Sequence, residues 1–189
     1  AERVSLFEPY RGPMDLALKV EEDLVAAIDA DFPKEEVPNE LTRERLEHEA
    51  FAESRREVYV ERPSNHQALD RHVLNDGAPL VLHGPAGSGR SALLANWIAQ
   101  WRMDHPTDHI IVQYIGATSK SAERDAMLRR IIGEIKQWTE LDHDVPKDAD
   151  GLRFDLPIWL RAAGEKATAE GVRCIVVLDG LEQLEQADE

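Results

Sequence analysis

The sequence lacks several features that would assign it to a particular class of protein. It has one cysteine, Cys174, among 189 residues, so it forms no intrachain disulfide and is predicted to lie in the reducing cytoplasm. No apolar run approaches the roughly 20 residues of a membrane-spanning helix, and the first residues do not resemble a signal peptide. The seven histidines show no metal-ligand spacing, so no zinc site is predicted.

Positive charge is also scarce. The chain carries 22 Lys and Arg against 37 Asp and Glu, a net charge of −15. Non-specific binding to nucleic acid or to an anionic membrane needs a basic surface, so neither partner is predicted. The length suits one domain with an appended helical piece. Because the chain has no initiator methionine and stops soon after a candidate site, we expect it to be a piece of a longer polypeptide.

A glycine-rich loop over residues 84–91 is the most informative stretch. It has the pattern G-x-x-x-x-G-[K]-S, with Arg90 at the lysine position, and it follows the apolar run Leu80–Leu82, a predicted strand. Glycines let backbone amides approach a phosphate chain closely, and the helix that follows adds its positive dipole end. We therefore predict a phosphate site, formed by Gly84, Pro85, Ala86, Gly87, Ser88, Gly89, Arg90, Ser91 and Ala92.

A second predicted strand ends in a carboxylate. Residues 174–179 read CIVVLD, a buried type of strand that places Asp179 at the C-terminal edge of a parallel sheet, where Mg²⁺ is often held. The hydroxyl of Ser91 is the expected second ligand. A further strand is predicted over residues 109–115, and Pro157 predicts the first turn of a helix.

With these two motifs, the chain resembles the STAND class of P-loop NTPases, in particular the NACHT and nephrocystin-like nucleotide-binding domains. The resemblance covers roughly residues 55–185. It implies an α/β fold: a P-loop NTPase-type parallel sheet with helices on both faces, truncated after the Walker B strand and preceded by a helical linker. The implied domains are a linker over residues 1–55 and the N-terminal part of the NTPase domain over residues 56–189.

The resemblance also implies residue roles. Tyr59-Val60-Glu61-Arg62 is similar to the family signature that lines the adenine, although Glu61 stands in place of the glycine. The similarity implies that Val60 and Arg62 contact the base. Glu182 matches the acid that polarises water, and Arg90 stands at the catalytic lysine position. The expected ligands are ATP or ADP with Mg²⁺. No N-K-x-D sequence of Ras-type GTPases is present, and a small-molecule kinase stays open.

Two functions remain open at this stage. The first is a signalling NTPase module that acts as a nucleotide-dependent switch in a multidomain protein, with other domains of the same polypeptide as partners and homo-oligomerisation on activation by analogy. The alternative is a degenerate nucleotide-binding or scaffold module without hydrolysis, because arginine replaces the lysine. The sequence leaves open whether the chain is an ATPase, and we expect this segment alone to be inactive.

Overall fold

The computed structural model describes residues 11–31, 38–75, 77–118 and 120–184, apart from the side chain of Asp29. Contacts divide the chain into two compact units, Ala1–Asn39 and Glu40–Glu189. The first unit contains one described element, helix α1 (Pro13–Asp31). The division comes before the boundary that the sequence predicts at residues 55 and 56, because the second helix packs within the second unit.

Helices make up most of the second unit. They are α2 (Glu40–Arg56), α3 (Pro63–Val73), α4 (Arg90–Asp104), α5 (Arg124–Thr139) and α6 (Ala149–Glu170), with a 3-10 turn at Leu181–Gln183. No helix in the described part of the chain is both long and apolar enough to span a bilayer.

The sheet of the second unit has two strands, β1 (His109–Tyr114) and β2 (Cys174–Asp179). They pair in parallel, with His109 opposite Cys174 and Tyr114 opposite Asp179. Helices α5 and α6 form the connection that a parallel pair requires. Both strands and their parallel orientation confirm the sequence prediction.

Two apolar clusters pack on the opposite faces of this sheet. Val112 and Tyr114 belong to a cluster with Leu93, Trp97 and Trp101 of α4. On the other face, the alternate residues Ile111 and Ile115 join α5 and α6, where Ile132, Ile135, Leu152 and Trp159 are completely buried. The tryptophans of α4 are 3% exposed, so both pack in this core. Helices therefore cover both faces of β1.

Helix α6 begins earlier than Pro157 predicts. The Asp148 side chain accepts a hydrogen bond of 2.8 Å from the amide of Gly151, and this cap begins the helix at Ala149. Pro157 lies inside α6. The prediction was wrong because Asp148 caps the helix N-terminus and starts the helix before Pro157.

The predicted fold class requires correction. A P-loop NTPase-type sheet needs the Leu80–Leu82 run as a strand, but residues 79–83 form no strand, and the only strands among the described residues are β1 and β2. Leu80 and Val81 are 46% and 76% exposed. Three apolar residues make a strand only when a neighbouring strand completes their hydrogen bonds, and none is present there. The described part of the second unit is mainly helical, with a two-stranded parallel sheet.

Candidate functional site

The glycine loop precedes α4, as the sequence predicts. Gly87 and Gly89 have φ angles of +76° and +86°, a left-handed conformation that residues with a Cβ adopt only with strain. The amide of Ser88 donates to the carbonyl of Pro85 at 3.1 Å and closes the turn. Because both glycines are exposed, a phosphate has open access to this turn and to the helix start that follows.

Arg90, the first residue of α4, forms an ion pair with Glu182. Its Nη2 donates to Glu182 Oε1 at 2.8 Å, across 92 positions of sequence. A backbone hydrogen bond of Glu182 lowers the pKa of its carboxyl, burial opposes this, and the charge and hydrogen bond of Arg90 lower the pKa further. The guanidinium that is expected to hold phosphates is thus already occupied by a carboxylate.

The two residues predicted to line an adenine differ in their surroundings. The Arg62 Nη1 donates to the carbonyl of Ser88 at 3.4 Å, which ties it to the glycine loop. Val60 is 77% exposed. Between them, the hydroxyl of Tyr59 accepts from the amide of Arg62 and bonds the ring of His66 at 2.9 Å. The structure brings Arg62 to the loop, and the predicted base contacts stay a prediction.

The predicted Mg²⁺ ligands lie on different elements. Asp179 is the last residue of β2, and Ser91 is the second residue of α4. Ala92, the last residue assigned to the phosphate site, is buried. Among the described residues no group of three or more His, Cys, Asp or Glu could hold a metal ion. A magnesium ion here would therefore depend on ligands from a bound phosphate, as is usual for this ion.

A cavity follows β2 and meets the glycine loop only at Arg90. Its volume is about 580 Å³, and Arg90, Asp179 and Glu182 line one part of it. Apolar residues line most of the remainder, including Leu80, Val81, Leu82, Leu94, Val176 and Leu178. Residues 84–89 and Ser91 are not among the lining residues. The structure therefore adds an apolar groove beside the predicted site, which the uninterrupted apolar run of β2 could have indicated.

A buried polar cluster lies at the outer edge of β1, and no sequence pattern indicates it. The amide of Tyr114 donates to His48 Nδ1 at 3.3 Å. Arg130 Nη1 donates to the carbonyl of Val112 and to the side chain of Gln113, each at 2.8 Å. Burial lowers the pKa of His48 to about 4, with a further contribution from the Arg130 charge. His48 is therefore neutral and able to accept this hydrogen bond.

Comparison with known proteins gives a set of partial relatives. The chain is 26% identical to a TPR repeat-containing protein of Dictyostelium discoideum, over 93% of the chain and 14% of that protein. It is 31% identical to the putative tetratricopeptide repeat protein 41 of Homo sapiens over 56% of the chain, and 26% identical to human nephrocystin-3 over 58%; it covers 8% of each. No family model and no solved structure matches.

These relatives correct the family assignment. The proteins that match over 93% of the chain are named for tetratricopeptide repeats, not as STAND or NACHT NTPases. The nephrocystin-3 match is partial and of low identity. The assignment to a signalling P-loop ATPase, with its Walker A and Walker B sites and its ATP-binding class, was therefore wrong. It rested on short motifs, and a glycine cluster marks an ordinary turn more often than a phosphate site.

Proposed function

We propose that this chain is a protein-interaction module, without nucleotide hydrolysis, that binds other domains of a longer polypeptide. The names of its relatives support an interaction role, since tetratricopeptide repeats are helical solenoids with extended binding surfaces. The chain spans only 8% to 16% of these relatives, so binding to further domains is part of the proposal. A cytoplasmic location is also part of the proposal, and the single cysteine supports it.

The apolar face of α1 is the observation that carries this proposal. Val20, Leu24 and Ile28 recur at four-residue spacing and are 47%, 57% and 56% exposed. The described part of the first unit contains no other helix or strand on which α1 could bury them. A single amphipathic helix of 19 residues is marginal in water without packing. It is suited to lie with this face in the groove of a partner domain.

Helix α1 should be protected only when its partner domain is present. We expect its amides to exchange slowly in the longer polypeptide and rapidly in the 189-residue chain. Burying one leucine is worth about 1.5–3 kcal/mol, so Leu24→Gln should speed exchange in the longer polypeptide on the order of tenfold or more. Hydrogen exchange read by mass spectrometry measures both effects.

Glu22→Gln is the matched control, because Glu22 lies on the polar face and receives the same side chain. It should leave the exchange of α1 unchanged. Equal exchange of α1 in the two polypeptides, or equal effects of the two substitutions, would contradict the proposal.

A second candidate is that the glycine loop holds the phosphates of ATP or ADP, together with Mg²⁺, without turnover. The two exposed left-handed glycines before α4 support it. The names of the relatives give it no support, nor do they support self-association. This candidate includes the predicted contacts of residues 84–92 with phosphates. The catalytic roles of Arg90 and Glu182 stay predictions.

The Arg90 ion pair gives this candidate a specific test. Glu182→Gln should tighten Mg-ATP binding several-fold, because it removes a carboxylate that competes with phosphate for the guanidinium at 2.8 Å. Glu53→Gln, an exposed change of the same kind, is the control. Isothermal titration calorimetry measures the affinities. Absence of heat from every variant would rule out nucleotide binding, and equal affinities would remove Arg90 from the site.

A further inference from the structure

A small cavity lies beside the buried polar cluster at the outer edge of β1. There His48 accepts from the Tyr114 amide and Arg130 donates to the Val112 carbonyl, and such sealing prevents a further strand from pairing with β1. The cavity has a volume of about 30 Å³, and residues of α2, α4, β1 and α5 line it. One water molecule needs roughly 10–15 Å³, so the space suits a single small ion or water.

The lining of this cavity carries an excess of positive charge. Its cations are Arg45, Arg56, Arg102 and Arg130, and its carboxylates are Glu49 and Glu134. Each carboxylate is shared by two guanidiniums, at 2.9 and 3.3 Å for Glu49 and at 3.5 and 4.0 Å for Glu134. Glu44 also acts on the charge of Arg130, but it lies outside the lining. The lining therefore holds two more guanidiniums than carboxylates, in a chain whose net charge is −15.

Arg130 has a hydrogen-bond donor that the cluster does not use. Its side chain is 4% exposed, and its Nη atoms donate to Val112, Gln113 and Glu134. Its Nε, by contrast, is buried and has no hydrogen-bond partner among the described residues. A buried donor of a charged group that stays unpaired costs free energy. A ligand that accepts from this Nε is therefore stabilised in the cavity that Arg130 lines.

We propose that this cavity binds a chloride ion, which accepts a hydrogen bond from Arg130 Nε and compensates the excess positive charge of the lining. His48 also lines the cavity. Because its Nδ1 accepts from the Tyr114 amide, the neutral ring has its hydrogen on Nε2, the second expected donor.

Chloride fits the cavity better than other small ligands. A water molecule satisfies Nε but leaves the charge of the lining uncompensated. The space holds only roughly two water-sized spheres, so a phosphate group is too large for it. The bound ion joins α2, α4 and α5, whose guanidiniums otherwise repel one another. This inference is independent of the proposed function, since it concerns neither α1 nor the glycine loop.

Exchange of chloride for gluconate at constant ionic strength tests the site, because gluconate is too large for the cavity. We expect the equilibrium constant for unfolding to fall on the order of tenfold as chloride rises from zero to about 0.2 M, since a ligand that binds only the folded state stabilises it by mass action. Urea unfolding of the 189-residue chain, followed by tryptophan fluorescence, measures this change. Bromide should have a similar effect, and its anomalous scattering in a crystal should place it beside Arg130 Nε.

Arg45→Gln and Arg43→Gln form a matched pair. Both substitutions replace an exposed arginine of α2 and change the net charge equally, but only Arg45 lines the cavity. General effects of salt on stability should therefore be the same in the two variants. We expect Arg45→Gln to lose most of the chloride response and Arg43→Gln to keep it.

Three results would overturn the inference. Equal stability in chloride and in gluconate would assign the cavity to water. Equal chloride responses in the two variants would attribute the effect to general screening. A bromide peak beside Arg130 without any chloride response would indicate an adventitious ion only, and a response with bromide bound elsewhere would place the anion on another surface.

Discussion

Replacing Arg130 by methionine should lower the free energy of unfolding by about 3–5 kcal/mol. Arg130 is 5% exposed and pairs with Glu134, which is 7% exposed, at 3.5 Å. The substitution leaves the Glu134 carboxylate buried, with Arg45, 4.0 Å away, as its remaining ion-pair partner among the described residues. It also removes the donor to the Val112 carbonyl and to the Gln113 side chain. Urea unfolding followed by tryptophan fluorescence measures the loss.

The double variant Arg130→Met, Glu134→Leu distinguishes the lost pair from lost packing. We expect it to recover a large part of the stability, because replacing both members of a buried pair by apolar side chains is often nearly neutral. Exposed ion pairs contribute less than about 1 kcal/mol. If Arg130→Met loses no more stability than this, the cluster does not depend on the pair. Equal losses in the single and double variants would attribute the effect to packing.

Stability should fall with acidity through the titration of His48. Burial lowers the pKa of His48 from 6.5 to about 4 in the folded state. The unfolded state therefore takes up the proton first, so this contribution is complete above pH 6.5 and is lost as the pH falls towards 4. At about 1.36 kcal/mol per pKa unit, the interval amounts to about 3 kcal/mol. Denaturant midpoints at a series of pH values measure it.

His48→Gln is the control, because an amide oxygen accepts from the Tyr114 amide without titrating. Burial also lowers the pKa of His109, and carboxylates titrate in the same range, so only the difference between the two profiles reports on His48. We expect the wild-type profile to fall more steeply than that of the variant between pH 6.5 and 4. Parallel profiles would mean that the titration of His48 does not contribute to the pH dependence of stability.

The two outcomes at the strands show what a short sequence window can predict. Residues 174–179 were correctly predicted as a strand, because an uninterrupted apolar run that ends at Asp179 is typical of a parallel strand, although none of its residues is buried. The run Leu80–Leu82 has the same apolar character but forms no strand. Strand formation depends on hydrogen bonds from a neighbour, and the identity of that neighbour is not encoded in the run itself.

The candidate site also has some features that the sequence predicts and one that it does not. The positions of the glycine turn and of the start of α4 could be predicted, because Gly87 and Gly89 favour a left-handed backbone that few other residues adopt. The ion pair of Arg90 with Glu182 could not, because it joins residues 92 positions apart. For the same reason the family assignment failed, since a loop pattern specifies local backbone geometry and carries no information about the rest of the protein.

The sequence by itself determined the local elements: the glycine turn before α4 and the two strands with their apolar runs. Backbone preference and the spacing of apolar residues are sufficient for these, because both act over a few neighbouring residues. Only the tertiary structure decided that His48 and Arg130 seal the edge of β1, and that β2 faces an open groove. Those features depend on which distant segments pack together, and packing is a property of the whole unit.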